Sequence, residues 1–286
     1  MKYKEEKEMK KVRVKKLVSL ALASMLAIGC LTGCGSSKET AAEGTDRLDQ
    51  ILENGKITIG VNPPGEPICF YDDAGNLIGY DVDWANKLGE VLGVEVELVE
   101  VNGENRISAV SSGRVDVIFA NITGNLERAK SIDFSIPYLR TGIKMATRTG
   151  MDEVQTVEDL NDSKYTVAIA SGTTGEELIL EYAPECNISY VASFSDQCLA
   201  LQEGKADALF EDGTSVDYIA GQSDYMVSKD KVYTSDPICI GYAKGNPELG
   251  RYLDMFVSSM ISSGWQAEEY YKWFGSEYTG TLNTLW

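Results

Sequence analysis

The sequence contains no histidine. The side chain that most often serves as general base and metal ligand is absent, so hydrolytic and metal-assisted chemistry loses its usual carrier. Cations are also scarce. Residues 35–286 carry 18 Lys and Arg against 41 Asp and Glu, a net charge of −23. Such a surface repels phosphate backbones and anionic headgroups, and nucleic acid is excluded as a partner. Past the N-terminal region no apolar run reaches the length of a membrane span. The cysteines beyond that region, Cys69, Cys186, Cys198 and Cys239, are not in CxxC spacing, which argues against a zinc site. In an exported chain they permit disulfides, in any of three pairings that the sequence does not rank. Neither a metal nor a cofactor is expected.

What is present starts with an export signal. Lys10, Lys11, Arg13, Lys15 and Lys16 precede the run "LVSLALASMLAIGCLTG", which is short and ends in small residues. "KEMKK" also allows Met9 rather than Met1 as the start. The run closes on Leu31-Thr32-Gly33-Cys34, which resembles a bacterial lipobox, whose cysteine is lipidated and becomes the mature N-terminus. "AIGC", ending at Cys30, is a weaker candidate because it lacks the leucine. The polar stretch "GSSKETAAEGT" then reads as a flexible tether. The expected layout is a signal peptide over 1–33, lipidation at Cys34, a tether over 34–45, and a body held at the extracellular face of a bacterial membrane.

With 286 residues, 43% of them hydrophobic, the chain is long enough for one large or two ordinary cores. From residue 46 strand and helix patterns alternate. "KITIGVN" and "VEVELVEV" read as strands, "ICFYDDAGNLIGY" as a hairpin and "DVDWANKLGEVLG" as a helix ending on Gly93. "ENRISAVSSG" reads as a short helix and "VDVIFANI" as a buried strand. This βαβ series predicts a mainly parallel sheet covered by helices. The pattern restarts with "YTVAIA", "SGTTGEELILEYA", "ISYVA", "SDQCLALQEG" and "ADALF". Two extended stretches, "PYLRTGIKMATRTG" and "VYTSDPICIGYAKG", flank this second unit. They predict two α/β lobes joined by a two-strand hinge near 141–148 and 232–244, with lobe I over 46–142 and 238–286 and lobe II over 143–237. The last two helical segments, with Val257, Met260 and Ile261 on one face, would complete lobe I.

Ligands of open α/β sheets sit beyond the carboxyl ends of the strands. Four segments fall there: "NPPGEP", "ANITGNLER", "SGTTG" and "EDGTS". "SGTTG" is a strand-to-helix turn whose N–H groups suit a carboxylate, or an ordinary helix cap by Thr173 or Thr174. It is no Walker loop, since no Lys follows its second glycine. Arg128, placed just inside a predicted helix, either faces solvent or grips a carboxylate with two parallel bonds. Thr123 adds a donor. Asp212 either caps its own helix or accepts an ammonium. Together these residues offer both charge signs from two lobes, which fits a zwitterion.

Several blocks agree in order with one family. "GYDVDWANKLGEVL" resembles the signature of the family 3 extracellular solute-binding proteins, the amino-acid receptors of ABC importers, with Trp84 where an aliphatic residue is usual. "SGRVDVIFANITGNLERAKSIDFSIPY", "IASGTTGEELI" and "GKADALFED" are similar to further blocks, with Asn125-Leu126 where Thr-Pro or Thr-Glu is common. The resemblance spans about 46–276 and implies the periplasmic-binding-protein-like type II fold. It implies that Arg128 meets the ligand carboxylate with Asn121 and Thr123 at the same end, that Gly172, Thr173 and Thr174 hold that carboxylate from the second lobe, and that Asp212 holds the ammonium. Asn62, Ala120 and Arg106 complete the implied site, and an ABC permease with its ATPase is the implied partner of a monomeric receptor. The aromatic residue that family members often carry after the first strand is absent near Gly65 and Glu66, which argues against a large basic or aromatic ligand. Arg106 either meets a ligand side-chain carboxylate, favouring glutamate or aspartate, or pairs with Glu100 or Glu104. Cysteine or another small polar amino acid is the next expectation. A dehydratase of the same fold would need Glu66 or Glu211 as its acid or base. A sensor ectodomain would continue into a span and a signalling domain, and the chain stops at Trp286.

Overall fold

The computed structural model describes residues 46–280 and residue 282. The export signal, Cys34 and the tether lie outside the described residues. The body opens with α1 (Arg47–Asn54), capped by the Asp46 carboxylate, which accepts from the Leu48 N–H, and ended by Gly55 in the left-handed region at φ 65°. β1 (Lys56–Val61) is an inner strand of a first sheet. Ile57, Ile59 and Val61 are buried on one face, and Gly60 is buried on the other against Ile118 and Val101, as expected of a parallel strand covered on both faces. The hairpin forms from β2 (Phe70–Tyr71) and β3 (Leu77–Ile78), with Asp72 accepting from the Ala74 and Asn76 N–H groups in its turn. It leads into α2 (Tyr80–Leu92), which Gly93 ends at φ 71°.

β4 (Glu95–Glu100) pairs parallel with β1, and so does β5 (Val117–Ile118), after the short helix α3 (Arg106–Ser111). β6 (Asp133–Thr141) then leaves the parallel pattern, and β7 (Ile143–Arg148) begins a second sheet. That sheet takes β8 (Thr166–Ala170), α4 (Thr174–Tyr182), β9 (Asn187–Val191), α5 (Phe194–Gln202), β10 (Ala208–Asp212), α6 (Gly213–Ala220) and β11 (Met226–Val232). β12 (Asp236–Tyr242) returns to the first sheet and is followed by α7 (Pro247–Ser262) and α8 (Trp265–Phe274). The strand orders are β4-β1-β5-β12-β6 and β11-β7-β10-β8-β9. The fold is thus two α/β lobes.

Both sheets are mixed, which corrects the mainly parallel expectation. In each, two parallel pairings are joined by two antiparallel ones, with β12 or β7 running against the other four strands, because β6–β7 and β11–β12 carry the chain across and back. The buried strand expected over "VDVIFANI" shortens to Val117–Ile118: Phe119 makes the last bond to β1, donating its N–H to Gly60 O, and Asn121 turns the chain out at φ 47°. Arg128 opens a single 3-10 turn, Arg128–Lys130, rather than a longer helix.

Each lobe has its own core. In the first, Trp84 fills the centre, with ring centroids 5.1 Å from Tyr138, 5.6 Å from Phe256 and 5.0 Å from Trp265. The aromatic residue that departs from the family pattern is therefore a packing element, matched by aromatics on β6, α7 and the start of α8. In the second lobe, Val167, Ile169 and Phe210 face one side of the sheet and Ala168, Leu209 and Phe194 the other. The disulfides that export would permit do not form: Cys69, Cys186, Cys198 and Cys239 are all free, and burial pushes the Cys198 and Cys239 thiols up to about 12. The two crossings lie side by side. The Ile143 N–H donates to Thr234 Oγ1 at 2.7 Å, the Tyr233 N–H donates to Ile143 O at 2.9 Å, and a Cβ on Gly142 would stand 2.2 Å from Thr234 O.

Candidate functional site

The carboxyl ends of β1, β5, β8 and β10 converge on one cavity of about 50 Å³. That is several times the roughly 10–15 Å³ that one water occupies, so the space exceeds a single hydration site. Seven of the residues expected from the sequence line it: Asn62, Arg106, Asn121, Thr123, Thr173, Thr174 and Asp212. Ala120, Arg128 and Gly172 are not lining residues but hold those that are. Arg106 is 4% exposed and donates through Nη1 to Ala120 O (2.7 Å) and Asn121 O (3.1 Å), and through Nη2 to Gly172 O (3.4 Å). Arg128 donates to Thr123 O at 2.9 Å and to Gly172 O at 3.1 Å. Neither expected bland role is what these arginines adopt: Arg128 is buried rather than solvent-facing, and Arg106 bonds carbonyls rather than Glu100 or Glu104.

The backbone explains how these groups meet. Asn121 takes its left-handed φ while its N–H donates to Asp81 Oδ2 at 2.7 Å. The other Asp81 oxygen accepts from Tyr138 Oη at 2.6 Å. So braced, the Asn121 side chain reaches the opposite lobe and donates to Asp212 Oδ2 at 2.6 Å. Asp212 occupies the N-cap position of α6 without capping it, so its carboxylate remains for the cavity. Thr173 does cap its helix. Its hydroxyl accepts from the Glu176 N–H and donates to Ala170 O, so only part of its polar capacity is left.

Charge is concentrated and poorly solvated here. Burial, and next the nearby Arg128, bring the Arg106 guanidinium down to about 10. Burial, then Glu211 and Asp236, push the Asp212 carboxyl well above the usual range, and burial pushes Glu211 up as well. Among the described residues, Asp212 Oδ1, Asn121 Oδ1 and Arg106 Nε are buried without a hydrogen-bond partner. Both a negative and a positive group thus retain unmet bonding capacity around one cavity, the condition under which a small zwitterion is held.

Further polar or aromatic lining residues stand outside the expected ligand set: Ser193, Phe194, Ser215, and Glu211, expected only as the acid or base of a dehydratase. Ser193 and Phe194 follow β9, a fifth strand ending at this edge. Phe194 lines the cavity from the second lobe and packs in a core cluster with Ala168 and Leu209. Glu66 lies at the rim, accepting from Tyr218 Oη at 3.2 Å across the lobes.

Residues 57–276 match the model of the bacterial extracellular solute-binding proteins, family 3, and the chain belongs to that family. It is 30% identical over 268 residues to the ABC transporter glutamine-binding protein GlnH of Bacillus subtilis, covering 91% of this chain and 97% of that protein. It is 27% identical to the L-cystine-binding protein TcyJ of Escherichia coli, covering 91% and 96%. Among solved structures, the ancestral amino acid-binding protein AncCDT-1, a precursor of cyclohexadienyl dehydratase, superposes with a TM-score of 0.76 at 31% identity, over 79% of this chain and 99% of that one. The two lobes are therefore those of a type II periplasmic binding protein.

Proposed function

We propose that the protein is the receptor of an ABC importer, capturing one α-amino acid between its lobes and delivering it to a membrane permease. The observation that carries this reading is the pairing, in one cavity, of Arg106, Asn121 and Thr123 with Thr173, Thr174 and Asp212. Arg128 and the start of α4 take the α-carboxylate, with Gly172 releasing its carbonyl contact to the guanidinium, and Asp212 takes the α-ammonium. Residues 46–142 with 236–286 form lobe I and 143–235 lobe II, the boundary moving from 238 to 236 because β12 begins there, with the crossings at Gly142 and 233–235 as hinge. Cys34 carries the lipid that anchors a monomer to the outer face of the membrane, after removal of residues 1–33. Binding rather than catalysis is the function, as the names of the relatives support.

Isothermal calorimetry against the twenty amino acids tests it. One amino acid should bind at one per chain with a micromolar constant, and its methyl ester and its des-amino analogue should not bind. Binding of the ester or the des-amino acid as tightly as the parent overturns the zwitterion model. Consumption of a prephenate-like acid by the purified protein would instead favour the dehydratase. A glutamate or aspartate preference through Arg106 is the finer form of this reading, and the side-chain end of the cavity bears on it directly.

A further inference from the structure

Glu211, Ser193, Phe194 and Arg106 all line the cavity. Glu211 is held in place from two sides. Its Oε1 accepts from the Asp212 N–H at 3.2 Å, and its Oε2 accepts from Gln197 Nε2 at 3.3 Å. Gln197 is fully buried, so it acts as a fixed brace behind the carboxylate. Each Glu211 oxygen keeps acceptor capacity beyond that one bond.

Arg106 is differently placed. Nη1 commits both of its hydrogens to the carbonyls of Ala120 and Asn121, while Nη2 commits one of its two, at 3.4 Å, to Gly172 O. The buried Nε has no hydrogen-bond partner. The acceptor-rich Glu211 carboxylate thus shares the cavity with a guanidinium already largely spent on carbonyls.

The charges lead to the same place. Arg106 and Arg128 stand against Glu211 and Asp212, with Asp81 and Asp236 close behind, so carboxyls outnumber guanidiniums, and an amino acid contributes a balanced ammonium and carboxylate. An uncharged ligand side chain adds nothing to that excess. An acidic one adds a second negative charge beside Glu211 in a poorly solvated site, where unpaired charge costs most. A basic one satisfies Glu211 but adds a cation beside Arg106.

We infer that Glu211 is a specificity-determining residue that selects an uncharged side chain ending in a carboxamide, glutamine or asparagine, over the corresponding acid. The amide nitrogen donates to Glu211 and the amide oxygen accepts from Arg106 Nε. This rests on the reading of the cleft as an amino-acid site, and it departs from the acidic preference that Arg106 implies in the sequence.

The test is calorimetry of the full-length mature chain, wild type and Glu211→Gln, with glutamine, asparagine, glutamate, aspartate, arginine and lysine. In the wild type the better amide should bind at least about tenfold more tightly than its acid, since a charge left unpaired in such a site costs several kcal/mol. In Glu211→Gln, whose side chain presents both a donor and an acceptor, the ratio should fall to within about threefold. Glu211→Ala serves as a second variant, and its ratio should fall likewise. The unliganded melting temperature of each variant checks folding. Tighter wild-type binding of glutamate, aspartate, arginine or lysine than of either amide overturns the inference while leaving the amino-acid reading intact. So does an amide-to-acid ratio unchanged in both variants. Failure of every amino acid to bind overturns the reading of the cleft and the inference with it.

Discussion

On the proposed reading Arg128 and Asp212 take the two ends of one ligand, and their removal should be felt at opposite ends of it. Arg128→Ala deletes a charged, two-pronged partner from a desolvated carboxylate and should weaken binding by roughly 2–5 kcal/mol. Asp212→Asn should weaken it through the ammonium, with the cleft otherwise unchanged. Calorimetry returning near-wild-type affinity for both would remove the basis of the zwitterion model. The same carboxylates set a pH dependence whose sign can be worked out. Burial pushes Asp81 up to about 6 and also raises Asp212, Glu211 and Asp236. A carboxyl raised on folding binds its proton more tightly in the folded state, so stability falls as pH rises from the ordinary carboxylate range through the raised value. For Asp81 the window runs from about 4 to about 6, with a contribution of at most roughly 3 kcal/mol. Asp72, Glu158 and Asp159, held down by hydrogen bonds, act oppositely but below that window. The unliganded protein should therefore melt higher at pH 5 than at pH 8. Ligand binding needs Asp212 ionised, so the ligand-induced rise in melting temperature should be larger at pH 8. Thermal unfolding at both pH values, with and without ligand, checks both signs, and a reversed order in either would reject the assignment of these groups.

At the scale of elements, the turn before α3 and the turn before α4 meet across the cleft. A Cβ on Gly103 would stand 2.3 Å from Ser171 O, which belongs to the other lobe. Within its own lobe the residue has room, and its φ is not in the region that favours glycine. Gly103→Ala should therefore leave the unliganded melting temperature unchanged and cost the closed, liganded form about 1–3 kcal/mol, the usual range for forced overpacking. Equal affinity for mutant and wild type would show that these turns do not meet on binding. The elements were largely legible in the sequence, because each has local punctuation. Gly93 ends α2, Thr173 and Ser193 cap α4 and α5, and Asp72 closes the hairpin. What escaped was decided by contacts far along the chain. The short β5 depends on Asp81 bracing Asn121, 40 positions away. The antiparallel pairings depend on where β12 returns to the first sheet and where β7 enters the second. Phe194 carries no motif of its own and enters the cleft only because β9 ends at the same edge as β1, β5 and β10.

For the whole molecule, the decisive property is whether the lobes move. Two crossings, Gly142 and residues 233–235, connect the sheets and are bonded to each other through Ile143, Tyr233 and Thr234. A paired, narrow connection bends as one unit, with a few residues at strand ends absorbing the change. Among the described residues the hydrogen bonds spanning the cleft are few: Asn121 to Asp212, the two arginines to Gly172 O, Tyr218 to Glu66, and the Ser195 N–H to Pro64 O. Contacts of this kind exchange readily with water, so the open form is accessible without ligand. A ligand touching both lobes binds the closed form better and shifts the population by that difference in affinity. Micromolar binding, about −8 kcal/mol, is ample to close a cleft held open by a few kcal/mol. Small-angle scattering on the mature chain should therefore show a smaller radius of gyration with the bound amino acid than without it. Gly103→Ala, saturated with the same ligand, should remain nearer the unliganded value. A radius of gyration indifferent to ligand in the wild type would mean that the lobes are a fixed pair and that capture proceeds without the hinge.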